Sequence, residues 1–300
     1  MKILNLGSLN IDKAYQVNHF VKGQETISAE ECHVYPGGKG LNQSVAIARA
    51  GGEVFHAGAV GSDGGNLLSV LKKENVNLEL VRRTEGVSGS AIIQVAGGEN
   101  AIIVFGGANK EITREDVDRA LERFGKEDYL LLQNETSFVS YAIRRAREKG
   151  MTVAFNASPV TEAMRGYPLE MVDIFFVNEI EAKYLAECDE GDYQMILERL
   201  HQKYPAATLV MTVGEEGVYY QSSHEFLHLP ANQVPVADTT AAGDTFGGYY
   251  LACISKSMTV KAALEAATTA SGLAVGRNGA SSSIPYWEEV ESMMKKGRMM

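Results

Sequence analysis

Cysteine is scarce: Cys32, Cys188 and Cys253 stand far apart in 300 residues with no C-x-x-C spacing. That speaks against a disulfide framework or a cysteine zinc site and suits a reducing compartment. No run of about 18 uninterrupted apolar residues occurs, and the opening MKILNLGSLN has no long apolar segment of the signal-peptide kind. A soluble cytoplasmic protein is expected. Positive charge is also short, with 28 Lys and Arg against 38 Asp and Glu, net −10. This is the wrong sign for a nucleic-acid or anionic-membrane surface, so an anionic ligand must be held by local groups. No Pro/Gly/Ser linker, repeat or low-complexity tract interrupts the chain, and 45% hydrophobic content supports a large core. One domain over residues 1–300 is expected.

What is present alternates. YLLLQNE (129–135) reads as a buried strand, Val139, Ala142, Ile143 and Ala146 mark a helix face, and MTVAFNA (151–157) is a second strand. The pattern repeats with VDIFFVN (172–178), a helix lined by Tyr193, Ile196, Leu197, Leu200 and Tyr204, and ATLVMTVG (207–214). Such units build an α/β fold, a parallel sheet with helices on both faces, which binds ligands beyond the carboxyl ends of its strands. Two stretches break the rhythm: 88–107, two β-rich runs about a Gly-Gly-Glu-Asn turn, and 12–36, with apolar residues at no helical period. Both are expected to form a small sheet standing off the main body.

VADTTAAGDTFGGYY (236–250) leads into apolar positions at Phe246, Tyr249, Tyr250, Cys253 and Ile254, so AAGD is expected at a helix N-terminus. Unpaired N–H groups and the helix dipole there favour a transferring phosphate, and Ala241, Ala242 and Gly243 leave room for it. The dipole would also hold Asp244 ionised, ready to accept a proton from a substrate hydroxyl. Phosphoryl transfer to an alcohol follows, while Asp244 as a simple helix cap stands as the other reading.

PGGKGLNQSVAIARAGG (36–52) is not a Walker A loop, because Gly40 and Leu41 follow the lysine where that motif has Ser or Thr. Gly37 and Gly38 can let backbone approach a small polar ligand, with Lys39 and Asn42 offering donors to its hydroxyls; a tight turn into a helix is the alternative. Asn10 and Asp12, two apart after the first strand, share one side of an extended backbone and can hold vicinal hydroxyls or be loop residues.

NID, GGKGLNQ, QNE, NEIEA, TVGEEG and DTTAAGDTF, in this order and at these separations, resemble the ribokinase branch of the PfkB carbohydrate kinases from residue 3 to about 287. The resemblance implies a ribokinase-like three-layer α/β/α fold with a β-sheet lid from about 12–36 and 88–105. It also implies ATP as phosphoryl donor and a pentose, D-ribose phosphorylated at O5, as acceptor. Sugar hydroxyls would be held by Asn10, Asp12, Gly38, Lys39, Asn42 and Glu135, with Asp244 the base. Asn178 and Glu181 would lie near the phosphates and a hydrated Mg2+, Thr212, Gly214 and Gly217 along the nucleotide, and Thr268 near its base. An activating K+ would take Asp238, the carbonyls of Thr240, Ala274, Arg277 and Gly279, and Ser283. A homodimer through the lid sheets is implied as well.

Three features depart from the branch's pattern: NASPV (156–160) in place of an Asn-Pro-Ala-Pro run, Leu41 in place of a smaller residue, and the bulk of His33 and Tyr35. Kinases for deoxyribose, a nucleoside or a sugar phosphate are the alternatives in class, although Lys13 and Lys22 form no second phosphate cluster. A non-catalytic sugar-binding protein is the alternative outside it.

Overall fold

The computed structural model describes residues 1–297. Its large sheet carries strands β1 (Ile3–Leu6), β4 (Val54–Val60), β5 (Asn77–Arg83), β8 (Tyr129–Gln133), β9 (Thr152–Asn156), β10 (Ile174–Asn178), β11 (Thr208–Thr212), β12 (Val218–Gln221) and β13 (Phe226–Leu229). They lie in the order β13-β12-β11-β10-β9-β8-β1-β4-β5. Pairings from β5 to β11 are parallel, but β11–β12 and β12–β13 are antiparallel. The fully parallel sheet expected from the alternating units therefore becomes mixed at one edge. A short Gly214–Glu216 turn joins β11 to β12, too short for the crossover helix a parallel return needs.

Helices α1 (Lys39–Arg49), α2 (Gly65–Lys73), α7 (Ala242–Ser255), α8 (Val260–Val275) and α9 (Trp287–Gly297) cover one face. The other carries α3 (Arg114–Leu121), α4 (Val139–Glu148), α5 (Glu179–Ala186) and α6 (Tyr193–Lys203). Two apolar cores result, one on each side of the sheet, giving three layers. β1, β8 and most of β9 are buried on both faces, which is why they read as continuous apolar runs rather than alternating ones.

β2 (Asn10–Gln16), β3 (Glu31–Gly37), β6 (Gly89–Ala96) and β7 (Glu99–Phe105) form the separate small sheet, in the order β3-β2-β6-β7. In the large sheet, successive units run from β1 outward through β4 to β5 and from β8 outward through β9, β10 and β11. The order reverses between β1 and β8. At their carboxyl ends lies the crevice that this topology opens to a ligand.

Candidate active site

A cleft of about 920 Å³ runs along the carboxyl ends of the large sheet and beneath the small one. It gathers Asn10, Asp12, Gly38, Lys39, Asn42, Glu135, Asn178, Glu181, Thr212, Asp238, Thr240, Ala241, Ala242, Gly243, Asp244 and Gly279. Gly214, Gly217, Thr268, Ala274, Arg277 and Ser283 do not line it. Of the three departures, Asn156, Ser158, His33 and Tyr35 do face the cleft, whereas Leu41 is wholly buried in the α1 core and forms no part of its wall.

Asp244 lies in the first turn of α7, as the apolar spacing predicts. Ala241 turns the chain into the helix at φ 61°. The N–H groups of Gly243 and Asp244 meet no acceptor among the described residues, so the helix end keeps donors free for an anion. The Asp244 side chain caps nothing. Its Oδ2 accepts from Asn42 Nδ2 and its Oδ1 from Gln43 Nε2, both at 2.9 Å. Burial pushes its carboxyl above the usual range, while Lys39 and the two amides pull it back. The expectation that the dipole simply holds it ionised thus omits desolvation. A raised proton affinity makes a carboxylate a better proton acceptor, provided it is still ionised at the working pH.

Lys39 Nζ donates to Glu135 Oε1 at 2.9 Å, and the Ser8 hydroxyl donates to Glu135 Oε2. Burial would lower the lysine, but Glu135, Asp244 and Glu181 together outweigh it and raise its proton affinity. It is the only Lys or Arg among the described residues lining the cleft. Asp12 is raised to about 6, first by burial and then by Glu135. Asp12 Oδ1 and Asn42 Oδ1 are buried without a hydrogen-bond partner among the described residues. Two unpaired acceptors in a cleft require donors, and hydroxyl groups would supply them. Gly38 stands where this cluster meets the backbone: its φ is +94°, and a Cβ there would come within 2.9 Å of both Asn10 N and Ser8 O.

Across the cleft, Asn178 and Thr212 are neighbours in parallel register at the ends of β10 and β11. Asn178 caps α5: its side chain accepts from Glu181 N at 2.8 Å while Glu181 Oε2 accepts from Asn178 N at 2.9 Å. Read without the resemblance, Glu181 would be a solvated helix charge; it is instead 6% exposed and turned into the cleft wall. Asp238 accepts from Thr240 N at 2.8 Å and Gly279 N at 3.1 Å; burial raises its carboxyl, but the Thr240 side chain and these N–H groups prevail and lower it. The carbonyls of Thr240, Arg277 and Gly279 receive no N–H among the described residues, whereas that of Ala274 accepts from Arg277 N. The Asp238 carboxylate and the free carbonyls of Thr240, Arg277 and Gly279 are oxygen donors of the kind a hard cation takes. Glu181, buried and acidic, fits a hydrated Mg2+.

The model of the pfkB family of carbohydrate kinases matches residues 2–287. The chain belongs to that family. Among pfkB relatives, a ribokinase of Staphylococcus aureus is 32% identical over 97% of this chain and 99% of its own. A deoxyribokinase of Salmonella typhi is 30% identical over 96% and 97%. The ADP-bound crystal structure of a Cryptococcus neoformans ribokinase superposes with a TM-score of 0.86 at 30% identity, covering 97% of this chain and 98% of that one. The fold is ribokinase-like, as the sequence motifs imply, and the chain is a sugar kinase. No described helix is long and apolar enough to cross a membrane.

Two buried residues that bond the cleft's carboxylates escaped the sequence reading. Ser8 precedes Asn10 in the short link between β1 and β2, and Gln43 follows Asn42 within GLNQ. Neighbours on a helix point about 100° apart, so nothing in the spacing suggests that both Asn42 and Gln43 reach one carboxylate.

Proposed function

We propose that this chain transfers the terminal phosphoryl group of ATP to O5 of D-ribose. The observation that carries the acceptor half is the pair of unpartnered buried oxygens, Asp12 Oδ1 and Asn42 Oδ1, beside Lys39, Glu135 and Asn10. Such a set rewards a polyol and penalises an analogue that leaves an acceptor unpaired. With Lys39 the only Lys or Arg among the described residues lining the cleft, and paired to Glu135, a second phosphate on the sugar has no cationic partner there.

Asp244 accepts the proton of the attacking hydroxyl, the hydroxyl oxygen bonds to the γ-phosphorus, and the bond to the β–γ bridging oxygen breaks to release ADP. The free N–H groups of Gly243 and Asp244 stabilise the charge on the moving phosphoryl group. Asn178, Glu181 and Thr212 belong to the nucleotide side, with Gly214, Gly217 and Thr268 further along it. Glu181 would hold Mg2+ through water, and Asp238, the carbonyls of Thr240, Ala274, Arg277 and Gly279, and Ser283 would hold K+; bound, these cations neutralise phosphate charge and stiffen the anion site. The chain acts as one domain, its small sheet a lid over the cleft that keeps water from the phosphoryl group, and two copies pair through these sheets in the cytoplasm.

ATP-coupled phosphorylation across ribose, 2-deoxyribose, fructose, fructose 6-phosphate and adenosine, in K+ and in Na+ buffer, is the test. Selective turnover of ribose, faster in K+, is expected. Preference for 2-deoxyribose would move the specificity towards the Salmonella relative and sink the ribose assignment. Asp244→Asn is expected to lose at least about a thousandfold in kcat while still binding sugar, given the size of general-base effects; near-normal turnover would reject its role.

A further inference from the structure

Behind Asp244 lies a row of polar side chains that neither the sugar nor the nucleotide half of the site uses. Gln43 Nε2 donates to Asp244 Oδ1 at 2.9 Å. Gln133 Nε2 donates to Gln43 Oε1 at 2.7 Å and to Asn5 Oδ1 at 2.9 Å. Asn5 Nδ2 in turn donates to Ser44 Oγ at 2.8 Å, and Ser44 Oγ lies 2.8 Å from His56 Nδ1. All five side chains are at most 1% exposed. They come from α1, β1, β4 and β8, and Asn5 and His56 are register partners in the sheet.

We propose that Gln43 is a positioning residue for the phosphoryl-transfer base, and that the buried row Gln133–Asn5–Ser44–His56 fixes which end of its amide faces Asp244. The inference rests on Asp244 being that base.

The row has a direction. A carboxylate only accepts, so Gln43 presents its NH2 to Asp244 and its oxygen to Gln133. Gln133 then spends its NH2 on Gln43 and Asn5, which turns the Asn5 NH2 onto Ser44. The Asn5 NH2 also donates to the Gly40 carbonyl, which only accepts, at 2.8 Å, and the Ser44 hydroxyl meets His56 Nδ1 at the end of the row. Burial pushes His56 down to about 4, against a smaller opposing effect of the Gly7 backbone, so the ring stays neutral through the working range. Every amide orientation is thereby set from both ends.

Stability does not explain the row. Gln133 Oε1 is left buried and unpaired among the described residues, a cost that apolar side chains of similar shape would avoid. Gly7 and Gly40 make room for it: a Cβ on Gly7 would meet Gln133 Oε1 at 2.5 Å and the Gly40 Cα at 2.6 Å. What the row supplies is a fixed donor on one carboxylate oxygen, opposite the donor from Asn42 on the other. It restrains the rotation of the carboxylate and favours its charged form.

The experiment is kcat and sugar KM against pH for the full chain, Gln43→Met, Gln133→Met and Asp244→Asn. Loss of a hydrogen bond to a charged group predicts a fall in kcat of about ten- to a hundredfold for Gln43→Met, with KM moving much less. Its acid limb in kcat should move up by roughly half to one pH unit. Gln133→Met should move the same limb the same way by less. Lys39, Glu135 and Asp12 also face Asp244. They are unchanged in both variants, so the difference from the parent chain isolates the donor.

A merely structural Gln43 would lower the unfolding midpoint and leave the limb in place, and superimposable profiles would overturn the proposal. If Gln43→Met does not fold, an unmoved limb in Gln133→Met does so instead. Should Asp244→Asn turn over normally, the base assignment falls and this proposal with it. An inactive Asp244→Asn beside an unmoved Gln43→Met sinks only the positioning role.

Discussion

At Asp12, folding and the proposed sugar binding pull in opposite directions. Its carboxyl is raised to about 6, with burial the largest cause and Glu135 next. Between the ordinary value of 3.8 and about 6 the native chain binds the proton more readily than the unfolded one. This group's contribution to stability therefore falls as pH rises through that window, and the full penalty persists above it. Asp12→Asn is expected to stabilise the chain at pH 7.5 by about 1–2 kcal/mol, a gain that fades towards pH 4. Sugar KM should rise at the same time, because an ionised acceptor is lost. Thermal unfolding across pH, paired with sugar KM, checks this; a stability gain that persists unchanged at pH 4 would sink it. The period of two along extended chain was enough to place Asn10 and Asp12 on one side, and both face the cleft. It could not foretell which of their atoms lack partners, because that depends on chain distant in sequence, such as Asn109 and Glu135.

Among the elements, α7 shows how little of a helix terminus need serve the helix. Its first turn has no side-chain cap, and a Cβ added at Gly243 meets nothing within 4 Å. Glycine there is costly for a helix and is not required by packing. Gly243→Ala should accordingly raise stability by about 0.5–1 kcal/mol. The added methyl would stand at the open helix end where the phosphoryl group is proposed to sit, so kcat should drop by about tenfold or more while sugar binding is kept. A variant both more stable and fully active would remove the anion site from this helix. The helix itself was legible from Phe246, Tyr249, Tyr250, Cys253 and Ile254, an apolar spacing that survives because the face is buried. α5 was less so. Its capping box is local and readable as N-x-x-E, but the burial of Glu181 comes from the neighbouring β10 and β11 ends, which no local pattern encodes. The antiparallel β12 and β13 were missed for a related reason: strand direction depends on the length of the connection, and the short Gly214–Glu216 turn carries no periodic signal.

At the scale of the whole molecule, the small sheet presents a problem that one chain does not solve. One of its faces, with Asp12, Tyr35, Ile93 and Ile102, looks into the cleft. The other carries Val34, Ile92, Ile103 and Phe105, respectively 57%, 43%, 62% and 57% exposed. Ile92 and Ile103 are cross-strand partners and Phe105 follows two places on, so these three form a continuous patch, with Lys13 of β2 between it and Val34. β7 lies at the edge of this sheet, with a strand partner on one side only among the described residues. A contiguous apolar face beside an open edge is ordinarily covered by a partner, and self-pairing through a two-fold axis covers both copies at once. Ile103→Lys puts a charge at the middle of that patch and is expected to shift the sedimenting mass from two chains to one. The cleft-facing residues of β2 and β6 are untouched by this change, yet a lid that has lost its partner should be looser, raising sugar KM more than it lowers kcat. Sedimentation of the parent chain as a monomer would end the dimer proposal at once. A dimer undisturbed by Ile103→Lys would move the contact off this sheet, leaving the patch to be explained by the lid's own closure.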